Sequence, residues 1–178
     1  QEPPFWRSDL ARGRVLFSLY HMKPEFLPYY AGELRQRGYL FWQGYPSSIA
    51  LVCEYLLEHG IDLRTAAPGA VFTSSETLLD FHRDRIVQAT RAPVADRYGN
   101  AELSVSAVQC PNGRYHVDTE FCVLEIEPHD EGPDWVRGEV IATGFANRAV
   151  PLIRYRTGDV ATLRKHDGCP CGRSRPVI

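Results

Sequence analysis

The spacing of apolar residues changes part-way along the chain. Up to about residue 102, short apolar runs alternate with stretches of helical period; beyond it, only short β-type runs remain. "RVLFSLYHM" (Arg14–Met22) is apolar and aromatic, bounded by Gly13 and Pro24, and predicts a buried strand. Phe26, Leu27, Tyr30, Ala31 and Leu34 then recur at helical spacing, with Pro24 suited to a first helical position and Gly38 as the stop. Tyr39–Tyr45 reads as a short strand ending at Gly44. In "PSSIALVCEYLLEHG", Pro46 and the capping serines Ser47 and Ser48 open a helix whose face carries Ile49, Val52, Cys53, Leu56 and Leu57, and Gly60 closes it. Cys53 on that face is expected in the core. "GAVFTSSE" (Gly69–Glu76) predicts a strand running into a turn, "TLLDFHRDRIVQATR" a helix, and Ala92–Glu102 another short strand and loop.

Alternating strands and helices point to parallel strands joined by crossover helices. Ligands of such sheets bind beyond the carboxyl ends of the strands, where "TSSE" and "RYGNAE" fall. After Glu102, "LSVSAVQC", "GRYHVD", "FCVLEIEP", "RGEVIATGF", "PLIRYRTGD" and "VATLRK" are separated by Asn-Gly, Pro, Asp-Gly and Gly signals, the pattern of an antiparallel sheet or distorted barrel. "EPHDEGPDW" reads as a solvated loop. The fold class expected is therefore α/β: an open, mostly parallel sheet with crossover helices over 1–105, then an antiparallel β-rich subdomain over 106–178.

Composition narrows the function classes. A chain of 178 residues with 44% hydrophobic and 24% charged residues suits a globular domain, alone or with a satellite subdomain. A net charge of −2 and arginines scattered without a stripe argue against nucleic acid as a partner. No apolar run approaches the roughly 20 residues that span a bilayer, and the N-terminus lacks the pattern of a signal peptide. Five cysteines, an odd number, argue against a secreted disulfide framework; a cytoplasmic protein without membrane association is expected.

Three polar loops each have a plain reading and a chemical one. Thr73–Glu76 would serve as a helix N-cap with an acidic first turn, worth about 1 kcal/mol. Tyr98-Gly99-Asn100-Ala101-Glu102 is either a generic turn or a tyrosine ring set against a flat base, with a carboxylate facing a metal–phosphate group. Thr157-Gly158-Asp159 is either a turn or a carboxylate placed to accept hydrogen bonds from vicinal hydroxyls. Near the C-terminus, Cys169 and Cys171 flank one proline, and Cys110 and His116 form a looser pair. Thiolates and imidazole are what a closed, tetrahedral structural zinc takes, and such an ion would clip two turns across a long loop. Unconnected surface residues and a redox pair are the alternatives. Cys122, off this set in an apolar strand, is expected to pack; His21, His59, His82, His129 and His166 have no partner visible in the sequence.

Taken together and in order, "GYPSSIALVCEYL", "FTSSETL", "RYGNAE", "GRYHVD" and "PLIRYRTGDVATL…CPCGR" resemble the phenylacetate–coenzyme A ligase-like proteins of the adenylate-forming superfamily. Within these the chain looks most like the branch associated with capsular-polysaccharide biosynthesis. The resemblance implies that a carboxylate attacks the α-phosphate of ATP to give an acyl adenylate and pyrophosphate, after which coenzyme A or a carrier thiol takes the acyl group. It implies that Tyr98 stacks on adenine, that Glu102 is the catalytic carboxylate holding Mg²⁺ near the phosphates, and that Asp159 binds the ribose hydroxyls. Ser75 and Glu76 would line the adenine end, and Gly99 would let the backbone pass close to the nucleotide. An acyl pocket would lie between Trp42, Gln43, Gly44 and Tyr45 and the strand near Tyr98. Related ligases with a similar Cys/His pattern are candidates for the Zn²⁺ clip, and homodimers occur among them. The family's Ser/Thr/Gly-rich phosphate loop has no counterpart in the chain. Neither has its lysine-bearing lid, since Lys23 and Lys165 are the only lysines and stand in neither context. The chain is thus expected to be the second half of an adenylation domain, unable to complete adenylation alone. A catalytically incomplete nucleotide-binding scaffold and a zinc-stabilised module unrelated to ATP are the competing readings.

Overall fold

The computed structural model describes residues 3–165 and 168–178. His166 lies outside the described residues. The chain divides into two compact units, one ending at Val94 and the other spanning Ala95–Ile178.

In the first unit, β1 (Trp6–Asp9) pairs antiparallel with β2 (Arg14–Phe17), Trp6 facing Phe17. Asp9 ties the connecting turn, accepting from the Arg12 backbone at 3.3 Å and from Arg14 Nε at 2.9 Å. The run at 14–22 is therefore not one buried strand. Strand β2 stops at Phe17, and Leu19–His21 form a 3-10 turn in which Ser18 Oγ meets His21 Nδ1 at 2.7 Å. The physical reason is coverage: Phe17 lies against the rings of Tyr30 and Tyr39, whereas Leu16 and Leu19 remain exposed.

A 3-10 turn at Pro24–Phe26 leads into α1 (Leu27–Arg37), which ends at Gly38 with φ of 62°. Its buried face is Leu27, Tyr30, Ala31 and Leu34; Glu33, also buried, is held by the Tyr39 hydroxyl at 2.7 Å and Arg37 Nε at 2.8 Å. Strands β3 (Phe41–Gly44) and β4 (Ala70–Ser74) pair in parallel through α2 (Pro46–Glu58), the crossover that the alternating pattern predicts. Helix α2 does not use serine caps. Its N-cap is Tyr45 and Ser47 and Ser48 stand inside the first turn, because Pro46 already occupies the start. Helix α3 (Asp80–Thr90) begins later than the apolar pattern suggested. Leu27, Leu34, Trp42, Val52, Leu56, Leu63, Val71 and Ile86 close one core around Cys53, whose thiol is pushed up to about 12 by burial.

In the second unit, β5 (Val94–Gly99), β6 (Ser106–Gln109) and β7 (Tyr115–Val117) pair antiparallel. A second antiparallel sheet has the order β10-β9-β8, from β8 (Cys122–Glu131), β9 (Trp135–Gly144) and β10 (Tyr155–Arg164). The segment read as a solvated loop is mostly strand: Glu131 pairs with Val136 and Asp130 with Arg137, so only 132–134 turn. Its polar composition reflects strands exposed along this stretch. The register shifts between Pro128 and Asp130, next to a residue with no N–H to donate. The last two predicted runs are one strand, β10, with an irregularity between Arg156 and Val160. Val105, Val117, Cys122, Val140 and Ala142 form the core, so Cys122 does pack. The C-terminal Pro-Val-Ile is paired: Val117 N–H donates to Pro176 at 2.9 Å, Ile178 N–H to Tyr115 at 3.0 Å, and Val177 bridges His116. Among the described residues, no helix is long and apolar enough to cross a membrane.

Candidate functional site

In the second unit the irregularity in β10 aims Asp159. Gly158 takes φ of 79°, a left-handed conformation that favours glycine. Thr157 Oγ1 donates to the Val140 carbonyl at 3.0 Å and accepts the Asp159 N–H at 3.1 Å. Across 61 residues of sequence, the Tyr98 hydroxyl donates to Asp159 Oδ2 at 2.7 Å. Burial first, then this bond to a carboxylate, raises the Tyr98 pKa well above the usual phenol range. A phenol held neutral by folding contributes stability below the unfolded pKa near 10, and that stability is lost as pH rises beyond it. The Tyr98→Phe protein should therefore lose less stability than the parent between about pH 9 and 11. Denaturant midpoints across that range measure it; identical alkaline slopes in the two proteins would argue against the bond.

Glu102 stands in the exposed turn after β5. Asn147 Nδ2 donates to its carbonyl at 3.3 Å, and Asn100 braces the turn by accepting Ser104 N–H at 3.0 Å while donating to Ser104 Oγ at 2.7 Å. The Tyr155 hydroxyl reaches Glu102 Oε1 at 3.4 Å, and its pKa is raised by the Glu102 charge first and by Asp159 as well. Tyr98 is thus joined directly to Asp159, and Tyr155 approaches Glu102 and feels the charge of Asp159. The Tyr98 ring itself packs partly against the core of the second unit.

The other residues implied by the resemblance are placed as follows. Gly99 is small for a local reason: an added Cβ would stand 3.1 Å from the Val105 carbonyl, where β5 meets β6. Ser75 and Glu76 belong to the first unit. They do not cap α3, which starts only at Asp80; instead Ser75 adopts φ of 70° and the Glu76 carboxylate accepts the Ser47 N–H at 3.3 Å, at the N-terminus of α2. Trp42 is core, 8% exposed, with its indole N–H unpartnered, so it presents no ring to a ligand; Gln43 and Tyr45 are exposed.

The tail residues form a tetrad. One ligand atom from each of Cys110, His116, Cys169 and Cys171 lies within 4.8 Å of every other. A tetrahedral zinc with Zn–S near 2.3 Å and Zn–N near 2.05 Å sets S···S at about 3.8 Å and S···N at about 3.6 Å. Cys110 Sγ and Cys169 Sγ are 3.7 Å apart, and Cys171 Sγ lies 3.4 Å from His116 Nε2. All three thiols are free, so these separations are not a disulfide. For Cys110, burial opposes ionisation, but N–H groups of Arg114 and Asn112 prevail and lower the pKa; for Cys169 the Cys171 N–H lowers it. For Cys171 the Arg173 N–H favours the thiolate, but burial and the neighbouring Cys169 and Cys110 sulfurs together outweigh it and leave the pKa raised. Clustered sulfurs that favour the thiolate in two of three positions suit a soft dication, and His116 turns one nitrogen to them while its Nδ1 is buried without a partner.

No family model matches the chain. Protein CapK of Staphylococcus aureus is 30% identical over 162 residues, which is 89% of this chain and 34% of CapK. An open 2-hydroxyisobutyryl-CoA ligase in complex with 2-HIB-AMP and CoA superposes with a TM-score of 0.71 at 24% identity, over 88% of this chain and 38% of that one. The fold is that of a segment of an adenylation domain. The nonribosomal peptide synthetase FmoA3, in its α-methyl-L-serine-AMP form, agrees with a TM-score of 0.56 at 16% identity, over 85% of the segment and 20% of that chain. The segment therefore spans about a third of the length of the curated relative it matches.

The sequence does not mark the residues that brace this region: Asn100 and Asn147 around Glu102, Tyr155 within reach of its carboxylate, and Glu139 and Arg156 beside the Asp159 turn. Only Tyr155 and Arg156 carried a signal, as the first two letters of "YRTGD".

Proposed function

We propose that the chain is part of an ATP-dependent, AMP-forming acid–thiol ligase of the phenylacetate–coenzyme A ligase-like type, and that it supplies the nucleotide-facing residues. The observation carrying this reading is the Tyr98 hydroxyl bonded to Asp159 at 2.7 Å with Glu102 tethered alongside by Tyr155. In this reading the Tyr98 ring forms the platform for adenine, and Asp159 accepts the ribose hydroxyls while fixing that ring. Glu102 projects a carboxylate where Mg²⁺ would stand, an ion that offsets phosphate charge during attack by the substrate carboxylate. The acyl-AMP and CoA of the 2-hydroxyisobutyryl ligase support a small carboxylic acid, ATP and coenzyme A as partners. Cys110, His116, Cys169 and Cys171 hold a structural Zn²⁺, since four protein ligands leave no open position for chemistry. Free cysteines throughout agree with a cytoplasmic setting.

The test is a melting-temperature shift. AMP or a non-hydrolysable acyl-adenylate analogue at 100 times its dissociation constant should stabilise the chain by about 2.7 kcal/mol. No shift at millimolar nucleotide would favour a zinc-stabilised module unrelated to ATP. The segment alone should bind nucleotide yet show no ATP–pyrophosphate exchange, because it spans only a third of its relative.

A further inference from the structure

Beside the candidate nucleotide site, three charged side chains cross the β10-β9-β8 sheet. Glu127 on β8 and Glu139 on β9 are directly opposite one another, a pairing of like charges that destabilises a sheet unless a cation offsets it. Arg156 on β10 supplies it: Nη1 bonds Glu127 at 2.7 Å and Nη2 bonds Glu139 at very short range. Glu139 has a second task. Its other oxygen, Oε1, accepts the Gly158 N–H at 3.3 Å, inside the irregular stretch where regular pairing lapses between Arg156 and Val160. The turn that aims Asp159 is thus fastened on one side by Thr157 to Val140 and on the other by Glu139, itself fixed by Arg156.

We infer that Arg156 and Glu139 are positioning residues for the Asp159 carboxylate. Their guanidinium–carboxylate pair converts a weak bulge into a rigid one, and so sets nucleotide affinity without touching nucleotide. The functional half of this inference rests on the nucleotide reading above; the mechanical half does not. Glu139 suits the role better than Glu127 because its side chain is 16% exposed against 51%, so it is less screened by water. The charges agree in direction: the bond from Arg156 lowers the Glu139 pKa, and the same bond to Glu139 raises that of Arg156. Glu127 shares Arg156 but accepts no bond from the turn, which makes it the control: its loss removes an ion pair to the same guanidinium and leaves the Glu139–Gly158 fastening intact.

The experiment uses the whole chain and reads ¹⁵N backbone order parameters at Gly158 and Asp159, with AMP affinity measured in parallel. In Arg156→Met and Glu139→Ala the order parameters should fall from about 0.85 to below about 0.6, while Val140 and Ala142 remain rigid. In Glu127→Gln they should hold. AMP affinity should weaken about tenfold in the first two variants, the effect of losing one charged hydrogen bond's worth of preorganisation, and less than about twofold in the third. A turn that stays rigid in Arg156→Met and Glu139→Ala overturns the inference, as does one that loosens equally in Glu127→Gln. A loosened turn with unchanged AMP affinity overturns its functional half. If the parent chain binds no AMP, the nucleotide reading fails, and the order parameters alone decide the mechanical half.

Discussion

Removing metal from the Cys110–His116–Cys169–Cys171 tetrad should lower the melting temperature by about 15 °C or more, the shift expected when an ion present at about a thousand times its dissociation constant is withdrawn from a unit of this size. The tetrad joins residues 59 and 55 positions apart in sequence, so an ion held there would close long loops that the unfolded chain leaves open. Cys169→Ser should reproduce the loss, whereas Cys53→Ser, in the separate core of the first unit, should not change metal content. Elemental analysis of chelator-free protein should find about one zinc per chain. Thiol counting gives an independent view. Before chelation a disulfide reagent should react slowly with every cysteine; afterwards Cys110, Cys169 and Cys171 should react, while Cys53 and Cys122 stay shielded by burial. Acid should mimic the chelator, because the ligands must be deprotonated to bind: metal-derived stability is present at neutral pH and lost as pH falls. Protein without zinc and with unchanged melting in chelator would sink the clip.

The second large effect is expected at Asp159. Asp159→Ala should weaken AMP binding by about a hundredfold, since two charge-assisted hydrogen bonds to vicinal hydroxyls vanish together. The same change releases the Tyr98 hydroxyl, which sits 2.7 Å from that carboxylate. Tyr98→Phe separates the two losses: it keeps the ring and the carboxylate, and should cost about tenfold or less, through orientation alone. Calorimetric titration of both variants checks the ordering. If Asp159→Ala binds AMP as tightly as the parent, the carboxylate does not hold ribose.

Much of this was legible in the sequence because local signals and the final fold agree. Pro46 and Gly60 bracket α2, and the face carrying Val52, Cys53 and Leu56 is the face that is buried. Zinc ligation by the two Cys/His pairs was one of three readings the sequence left open, and the fold brings those four ligand atoms within 4.8 Å of one another. Where the reading failed, long-range pairing had overridden local pattern. Arg14–Met22 reads as one buried strand, but β2 has only β1 beside it and is followed by a 3-10 turn. "EPHDEGPDW" has the composition of a loop, yet cross-strand pairing such as Glu131 with Val136 extends it. Thr73–Glu76 resembles a cap for the helix that follows, whereas Glu76 binds the start of the helix before it. Trp42 suggested a ligand-facing ring, and period-2 alternation along β3 turns it into the core. Nothing local marks Glu139 as a partner of Gly158, because a carboxylate in a strand is ordinary until the strand opposite it is known.

The site as a whole is tested most directly by AMP titrated into isotope-labelled protein, read by nuclear Overhauser contacts. Contacts between the Tyr98 ring and the adenine protons are predicted, with shifts of the Gly158 and Asp159 amides and none at Cys169 or Cys171. Nucleotide that contacts a different ring, or leaves Tyr98 and Asp159 undisturbed at millimolar concentration, would contradict it.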